Sequence, residues 1–183
     1  MSLRKKDYTP TTPAAAPWML PPDDQGTQPI VPWLKLDPGT RLQLYCCSSA
    51  WLGAQTHWAT GRMKIHTTPN CRWCEDNNPI RFYFFLHVAS IKEFRSYVVQ
   101  LSAGNIGNLV HAKEEYSSLR GCRVELARRG RSANSPTVIT FLAPPLAIEH
   151  LPPELDIRAK LAHACNWEDE AIRDFDKPKE TTA

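Results

Sequence analysis

The sequence contains no run that approaches the roughly 18 consecutive apolar residues of a membrane-spanning helix. The first 32 residues are polar and repeatedly interrupted by proline, so they lack the apolar segment of a signal peptide. These two absences predict a cytoplasmic protein without a membrane partner. In a reducing compartment, the 6 cysteines favour metal binding or burial over disulfides.

A recognisable catalytic constellation is also missing. The pair Cys71-x-x-Cys74 does not stand between a strand and a helix, as a thioredoxin-like redox motif would. A zinc nucleobase deaminase needs His-x-Glu, whereas this chain has His57-Trp58-Ala59. No carboxylate has the spacing that would activate a zinc-bound water, so the sequence predicts that the protein is not an enzyme. Three alternatives to a structural metal site remain for Cys71 and Cys74: a redox pair, a buried thiol pair and a zinc hydrolase.

The length of 183 residues suits one ordinary domain with tails. Most of the 16 prolines lie in the first 32 residues or after residue 143, and they frame a core between extended flanks. We therefore expect a flexible, proline-rich tail over residues 1–32 and a folded domain over residues 33–144. Residues 145–183 are expected to hold a short amphipathic helix, from Pro153 to Trp167, and an acidic tail.

Charge is divided unevenly along the chain. Residues 1–144 carry 17 Lys and Arg against 10 Asp and Glu, whereas residues 145–183 carry 5 against 9. A basic body suits a polyanionic partner, and an acidic tail suits shielding of that site or recruitment of a protein partner. The alternative is an ordinary solvated surface.

Alternation of apolar and polar residues predicts five short strands, and helical spacing predicts a helix within residues 103–118. Residues 48–79 are polar, contain glycine and proline, and are expected to form a long loop organised by a metal. Five strands with a helix between the third and fourth is the order of an OB-fold barrel, a mainly β fold with some α. The predicted strands are Thr40–Cys47, Arg81–Val88, Phe94–Leu101, Cys122–Arg128 and Thr137–Leu142.

Two histidines and two cysteines lie within 18 residues, in the pattern His57-x8-His66-x4-Cys71-x2-Cys74. Imidazoles and thiolates in this number complete a tetrahedral zinc site, and the two-residue spacer lets both sulfurs face one ion. The pattern predicts one structural Zn²⁺ in the loop between the first two predicted strands. Cys46 or Cys47 could replace one of the histidines, although their apolar context favours burial.

Aromatic residues alternate with arginines on the outward face of the first three predicted strands, a pattern suited to single-stranded nucleic acid. The zinc loop and a basic turn near residue 130 add further cations and aromatic rings. The alternative is that Tyr83 and Phe85 pack beneath a terminal segment. The predicted nucleic-acid-binding residues are Arg41, Tyr45, Trp58, Arg62, Lys64, Arg72, Trp73, Arg81, Tyr83, Phe85, Arg95, Tyr97, Arg128, Arg129 and Arg131, with Gln43 on the same face.

The run His57 to Cys74, the aromatic strand after it, and the segment Leu119-Arg120-Gly121 to Arg128 resemble zinc-containing OB-fold proteins of bacteria and their mobile elements. In plan, the chain is similar to the single-stranded DNA-binding proteins of T-even bacteriophages. That resemblance implies zinc ligands at His57, Cys71 and Cys74, with His66 in the place of the remaining cysteine. It also implies single-stranded DNA binding, DNA rather than RNA, in replication or recombination. A zinc-stabilised adaptor within a nucleoprotein complex is the alternative function.

Overall fold

The computed structural model describes residues 31–59, 61–66, 71–130, 132, 135–143, 151–165 and 173–174. Within them, no helix is long and apolar enough to cross a membrane. A single turn of 3-10 helix covers Ala103–Asn105. The strands are β1 Arg41–Cys46, β2 Leu52–Ala59, β3 Arg62–Ile65, β4 Arg81–Ser90, β5 Arg95–Ser102, β6 Arg123–Arg128, β7 Thr137–Ala143 and β8 Arg173–Asp174, and the helices are α1 Arg72–Glu75, α2 Ile106–Tyr116 and α3 Ile157–Cys165.

Each predicted strand has a counterpart in the structure, namely β1, β4, β5, β6 and β7. The helix predicted within residues 103–118 is α2, and the C-terminal helix is α3. A mainly antiparallel β fold with few helices is therefore confirmed. On α2 the buried face is formed by Leu109 and Ala112, whereas Ile106 and Val110 are each 38% exposed.

The long loop predicted over residues 48–79 is wrong, because these residues form β2, β3 and α1. The sequence of β2 lacks a recognisable strand pattern because polar residues occupy some of its buried positions. Thr56 and His57 are fully buried in β2, where a sequence pattern would place apolar side chains. The Thr56 hydroxyl donates to the Arg81 carbonyl oxygen, and the His57 side chain faces a cluster of histidine and cysteine side chains. These contacts explain why buried positions of β2 hold polar residues.

The strands form one sheet in the order β3-β2-β4-β1-β6-β7, with β5 paired to β4 and β8 paired to β2. β1 and β2 pair with different parts of β4, through residues 88–89 and 81–85 respectively. Among the described residues, no ladder joins β5 to β7. The sheet is therefore open, and the closed barrel expected from the strand order is not formed.

Other groups occupy the edges at which the barrel would close. Residues 32–34 pair with Val98 on β5, where the Leu34 amide donates to the Val98 carbonyl at 2.8 Å and the Val98 amide donates to the Pro32 carbonyl at 2.9 Å. On β7, the Asn105 side chain accepts from the Ile139 amide and donates to the Thr137 carbonyl, both at 2.9 Å. A side-chain amide thus replaces a neighbouring strand at this edge.

Replacing Asn105 with alanine is expected to lower the free energy of unfolding by about 2 kcal/mol, because it leaves the buried Ile139 amide and the partly buried Thr137 carbonyl on β7 without this partner. The matched control is Asn108→Ala, since Asn108 is exposed and donates a single bond to the Ile139 carbonyl at 2.7 Å. Urea denaturation measures both variants. Equal losses would show that Asn105 does not hold the β7 edge.

Two apolar clusters lie on opposite faces of the sheet. The larger one contains Leu44, Leu86, Leu101, Leu109 and Leu126, which join β1, β4, β5, α2 and β6. The second contains Phe85 of β4 and Val98 of β5 beneath Ile157 and Leu161 of α3, together with Val31. Since α3 and the residues around position 31 cover Phe85 and Val98, this part of the second face is not an open surface.

Candidate metal centre and the faces of its hairpin

The β2–β3 hairpin brings the two histidines together. His57 pairs with Lys64 across the hairpin, and the His66 amide donates to the Gln55 carbonyl at 2.9 Å, which continues the ladder beyond β3. Side chains alternate between the faces of a strand, so His57, Lys64 and His66 lie on one face. The His57 side chain is fully buried there.

The two cysteines lie at the start of α1. Cys71 precedes the helix and is 3% exposed, whereas Cys74 is exposed. The Cys74 amide donates to the Cys71 carbonyl at 2.9 Å, and this single turn directs both sulfurs to the same side. The hairpin and the turn together bring His57, His66, Cys71 and Cys74 into one group, which we call the metal cluster.

The ligand atoms of the metal cluster all lie within 4.8 Å of one another. His57 Nε2 is 3.1 Å from His66 Nδ1, 3.4 Å from Cys71 Sγ and 3.6 Å from Cys74 Sγ. Tetrahedral zinc, with bonds of about 2.0–2.1 Å to nitrogen and about 2.3 Å to sulfur, spaces its ligands by roughly 3.3–3.8 Å. The arrangement can hold one metal ion with four protein ligands.

The hydrogen bonding of His57 fixes which nitrogen faces the cluster. Its Nδ1 lies 2.9 Å from the Asn78 carbonyl oxygen, to which only a protonated nitrogen can donate. The Nε2 atom therefore presents a lone pair to the three other ligand atoms. The Nε2 lone pair can accept only one hydrogen bond, whereas a cation would bind all four ligand groups at once. A backbone carbonyl, here that of Asn78, is a common partner for the other ring nitrogen of a metal-binding histidine.

Without a cation, the surroundings favour the neutral thiol of Cys74. Partial desolvation raises the pKa of Cys74, and the neighbouring Cys71 and Glu75 raise it further. A bound metal ion acts in the opposite direction, because it stabilises the thiolate. Metal binding at this cluster would therefore release protons.

Three cysteine side chains that the structure describes lie outside the cluster, and each is fully buried: Cys46, Cys47 and Cys122. Burial of Cys46 and Cys47 agrees with the prediction from their apolar context. Burial raises the pKa of Cys47 to about 12 and that of Cys122 to about 11, so neither is a thiolate at neutral pH. Neither Cys46 nor Cys47 belongs to the metal cluster, so the alternative in which one of them replaces a histidine has no support in the geometry.

The two faces of the hairpin differ in their chemistry. On the metal side, Trp73 lies beneath two cations, with Lys64 Nζ 5.9 Å and Arg72 Cζ 5.5 Å from the ring centre. Trp58 lies on the other face, because it alternates with His57 along β2. The aromatic and basic residues predicted to form one loop surface are thus divided between two faces.

Trp58 shares its face with residues of β4. Thr56 pairs with Arg81 and Ala54 with Tyr83, and positions 54, 56 and 58 lie on the same side of β2. Trp58 is 57% exposed, Arg81 is exposed and Tyr83 is partly buried. We call Trp58, Arg81 and Tyr83 the aromatic patch.

The residues predicted to form one outward surface on the first three strands do not lie on one face of the sheet. Phe85 is fully buried beneath α3, 5.9 Å from the Trp33 ring, so it cannot stack on a base. Tyr97 pairs with Val88, which places Tyr97 and Arg95 on the face of the larger apolar cluster, opposite Tyr83. The alternative in which Tyr83 and Phe85 pack beneath a terminal segment holds for Phe85, which lies beneath α3, and Tyr83 is partly buried against the same cluster.

The remaining predicted contacts fall into three groups. Arg128 is held by backbone, since its Nη1 donates to the Leu36 carbonyl at 2.6 Å and its Nε to the Ser135 carbonyl at 3.2 Å. Arg41 is 3.7 Å from Glu125, Tyr45 packs near Ala89, and Arg129 is exposed. The side chain of Arg62, all of Arg131 and most of the acidic tail lie outside the described residues.

Sequence reasoning missed one polar residue. His87 is 2% exposed, and neither of its ring nitrogens has a hydrogen-bond partner among the described residues. Burial lowers the pKa of His87 to about 4, and the cations of Arg120 and Lys160 add to the effect. Strand alternation places His87 on the same face of β4 as Phe85, and predicts that it points outward; this is wrong, because that face is covered and His87 is buried.

Comparisons with known proteins yield no match: no protein family, no curated protein and no solved structure matches this chain.

Proposed function

We propose that this chain is a non-enzymatic protein that binds single-stranded nucleic acid through the aromatic patch, beside a hairpin stabilised by one zinc ion. The observation that carries the proposal is the exposure of Trp58 next to Arg81 on one face. An exposed ring stacks on a base, and a neighbouring guanidinium neutralises a phosphate. DNA is favoured over RNA because of the resemblance to the phage proteins.

Zinc is the metal that best fits the cluster. Two imidazoles and two thiolates at tetrahedral spacing are the donor set of structural zinc sites, whereas calcium and magnesium prefer oxygen ligands. Four protein ligands leave no position for a reacting water, and the cluster contains no carboxylate. The ion would therefore supply stability, by fixing α1 to the β2–β3 hairpin.

The order of the strands supports an OB-like architecture. Within the sheet, β7, β6, β1, β4 and β5 succeed one another as the strands of an OB-fold do, and α2 lies between β5 and β6. The β2–β3 hairpin and the metal cluster then occupy the loop between the first two strands of that fold. Loops at this position commonly contact oligonucleotides.

Binding of an unstructured oligonucleotide tests the function. Trp58→Ala is expected to weaken binding about tenfold, since stacking contributes roughly 1–3 kcal/mol for each base, with an unchanged salt slope. Arg81→Ala is expected to lower that slope by about 0.7, because one phosphate contact is lost. Fluorescence anisotropy over a range of salt concentrations measures both.

Val110→Ala is the matched control, because Val110 is an exposed apolar residue on α2. It should bind like the unmodified protein. If Trp58→Ala and Val110→Ala both bind normally, the aromatic patch is not the binding site. If the unmodified protein shows no salt-dependent binding, the proposed function is wrong, and a protein-interaction adaptor becomes the better hypothesis.

A further inference from the structure

The hairpin that carries Trp58 extends beyond β4. β2 pairs with β4 from Leu52 to Thr56, whereas its remaining residues, 57–59, pair with residues 62–64 of β3. Among the described residues, no strand other than β3 pairs with this end of β2. Two strands without further partners are only marginally stable in water. The order of the segment that holds Trp58 therefore depends on additional contacts.

The metal cluster supplies such contacts. His57 is the first residue of β2 beyond its pairing with β4, and its ring centre lies 5.2 Å from that of His66. A metal ion bound by the four ligands would join this end of the hairpin to α1. Without the two thiolates, the two imidazoles alone do not complete a tetrahedral site. Retention of the ion therefore depends on Cys71 and Cys74.

The two sulfurs of the cluster differ in their exposure. Cys74 is exposed, whereas the other cysteine side chains that the structure describes are buried, including Cys71 at 3%. Burial also raises the pKa of Cys47 to about 12 and that of Cys122 to about 11, so both remain neutral thiols. Oxidants act on thiolates that they can reach. Of these sulfurs, that of Cys74 is the one that a dissolved oxidant meets first.

Cys71 lies where it can form a disulfide with Cys74. The Cys74 amide donates to the Cys71 carbonyl at 2.9 Å, so one helical turn separates the two residues. Residues three apart in such a turn have Cα atoms about 5 Å apart, within the range of about 4.4–6.8 Å that disulfides span. The two sulfurs lie within 4.8 Å of each other. A disulfide therefore requires rotation of the two side chains and no large movement of the backbone.

We propose that Cys71 and Cys74 are an oxidation site, at which a hydroperoxide converts the two thiolates to a disulfide, expels the metal ion and releases the hairpin that carries Trp58. The ion is expelled because the thiolate, and not the disulfide, is the metal ligand. This inference rests on the proposed function, since it assigns a means of control to the zinc ion and the aromatic patch named there.

The oxidation proceeds in two displacements. The Cys74 thiolate attacks one oxygen of hydrogen peroxide, so that an S–O bond forms, the O–O bond breaks and hydroxide leaves. The Cys71 thiolate then attacks the Cys74 sulfur, which forms the S–S bond and expels a second hydroxide. The two thiolates lose two electrons in all, and the peroxide gains them as it becomes two hydroxide ions.

Zinc release from the full chain tests the oxidation. The reduced protein is loaded with zinc, its zinc content is measured, and hydrogen peroxide is added with a chromophoric chelator. About one zinc per chain should be released, because one site is lost. Trypsin cleaves after Arg72, so the oxidised protein should yield two peptides, containing Cys71 and Cys74, that stay joined until dithiothreitol is added.

Cys74→His tests which sulfur is attacked. Histidine is also a zinc ligand but carries no thiolate, so this variant is expected to release zinc roughly tenfold more slowly than the unmodified protein. Cys122→Ala is the matched control and should release zinc at the unmodified rate. If Cys74→His holds no zinc, limiting iodoacetamide on the zinc-loaded unmodified protein makes the same distinction, with the first label expected on Cys74.

The oxidised protein is expected to bind oligothymidylate about tenfold more weakly, as Trp58→Ala does, and dithiothreitol with zinc should restore binding. Retention of zinc in peroxide would overturn the inference, as would a disulfide between other cysteines or unchanged binding after zinc release. So would zinc release from Cys74→His at the unmodified rate, or a first label on Cys71. A reduced protein that holds no zinc, or that binds no oligothymidylate before oxidation, would instead contradict the proposed function.

Discussion

Replacing Cys71 with alanine is expected to remove zinc from the purified protein and to lower its melting temperature more than replacing a cysteine outside the metal cluster. The energy of zinc binding in small modules is on the order of 10 kcal/mol, which is comparable with the whole stability of a domain, about 5–15 kcal/mol. Elemental analysis should find about one zinc per chain before the change and none after it, because the four ligands complete one site.

The matched control is Cys122→Ala, which removes a buried thiol that lies outside the metal cluster. Its loss should be limited to that of one small buried side chain, and its zinc content should be unchanged. A chelator should lower the melting temperature of Cys122→Ala and leave that of Cys71→Ala unaltered. Equal melting losses for the two variants, with zinc absent from both, would refute the metal site.

Acid is expected to destabilise the protein through His87, and His87→Phe should remove this part of the effect. The folded-state pKa of His87 is about 4, below the ordinary value of 6.5, so the unfolded chain binds more protons between these two pH values. Stability contributed by the neutral ring is complete above pH 6.5 and is lost as pH falls towards 4. The loss amounts to about 2–3 kcal/mol.

The measurement is the difference in unfolding free energy between His87→Phe and the unmodified protein, followed from pH 7.5 to pH 4.5. Both proteins share every ionisable group except His87, so the difference isolates the contribution of His87. His111→Gln is the control, because His111 is exposed and lies 3.7 Å from Glu115. A difference that stays constant with pH would show that His87 is not the buried, neutral group described above.

Alternation of apolar and polar residues predicted the strands whose buried positions hold apolar side chains, among them β1 and β4. Their alternate apolar side chains pack in or against the larger cluster, namely Leu42, Leu44 and Cys46 of β1 and Phe82, Phe84 and Leu86 of β4. The same patterns failed at β2, where buried Thr56 and His57 stand at positions that usually hold apolar side chains. Strand formation there depends on partners in β3 and β4, which the sequence does not specify locally.

The metal cluster was predictable because its four residues are close in sequence and their spacing restricts the geometry. The aromatic surface was not, because its shape depends on distant segments. Phe85 follows the outward alternation of β4, but α3 covers it, and Tyr97 changes face through its pairing with Val88. Cross-strand register and the docking of α3 depend on contacts between residues far apart in the chain, so neither can be recognised from a short stretch of sequence.

The cluster that joins Val31, Phe85 and Leu161 also has a consequence for the order of events during synthesis. A ribosome produces β1 to β7 before α3, so the face around Phe85 is exposed to water, and to other nascent chains, until residue 161 has emerged. Contacts between segments so far apart in the chain form late and slow the completion of folding. Expression and quality control of this protein therefore depend on how long that apolar face stays uncovered, and a chaperone that binds hydrophobic segments would act in this interval.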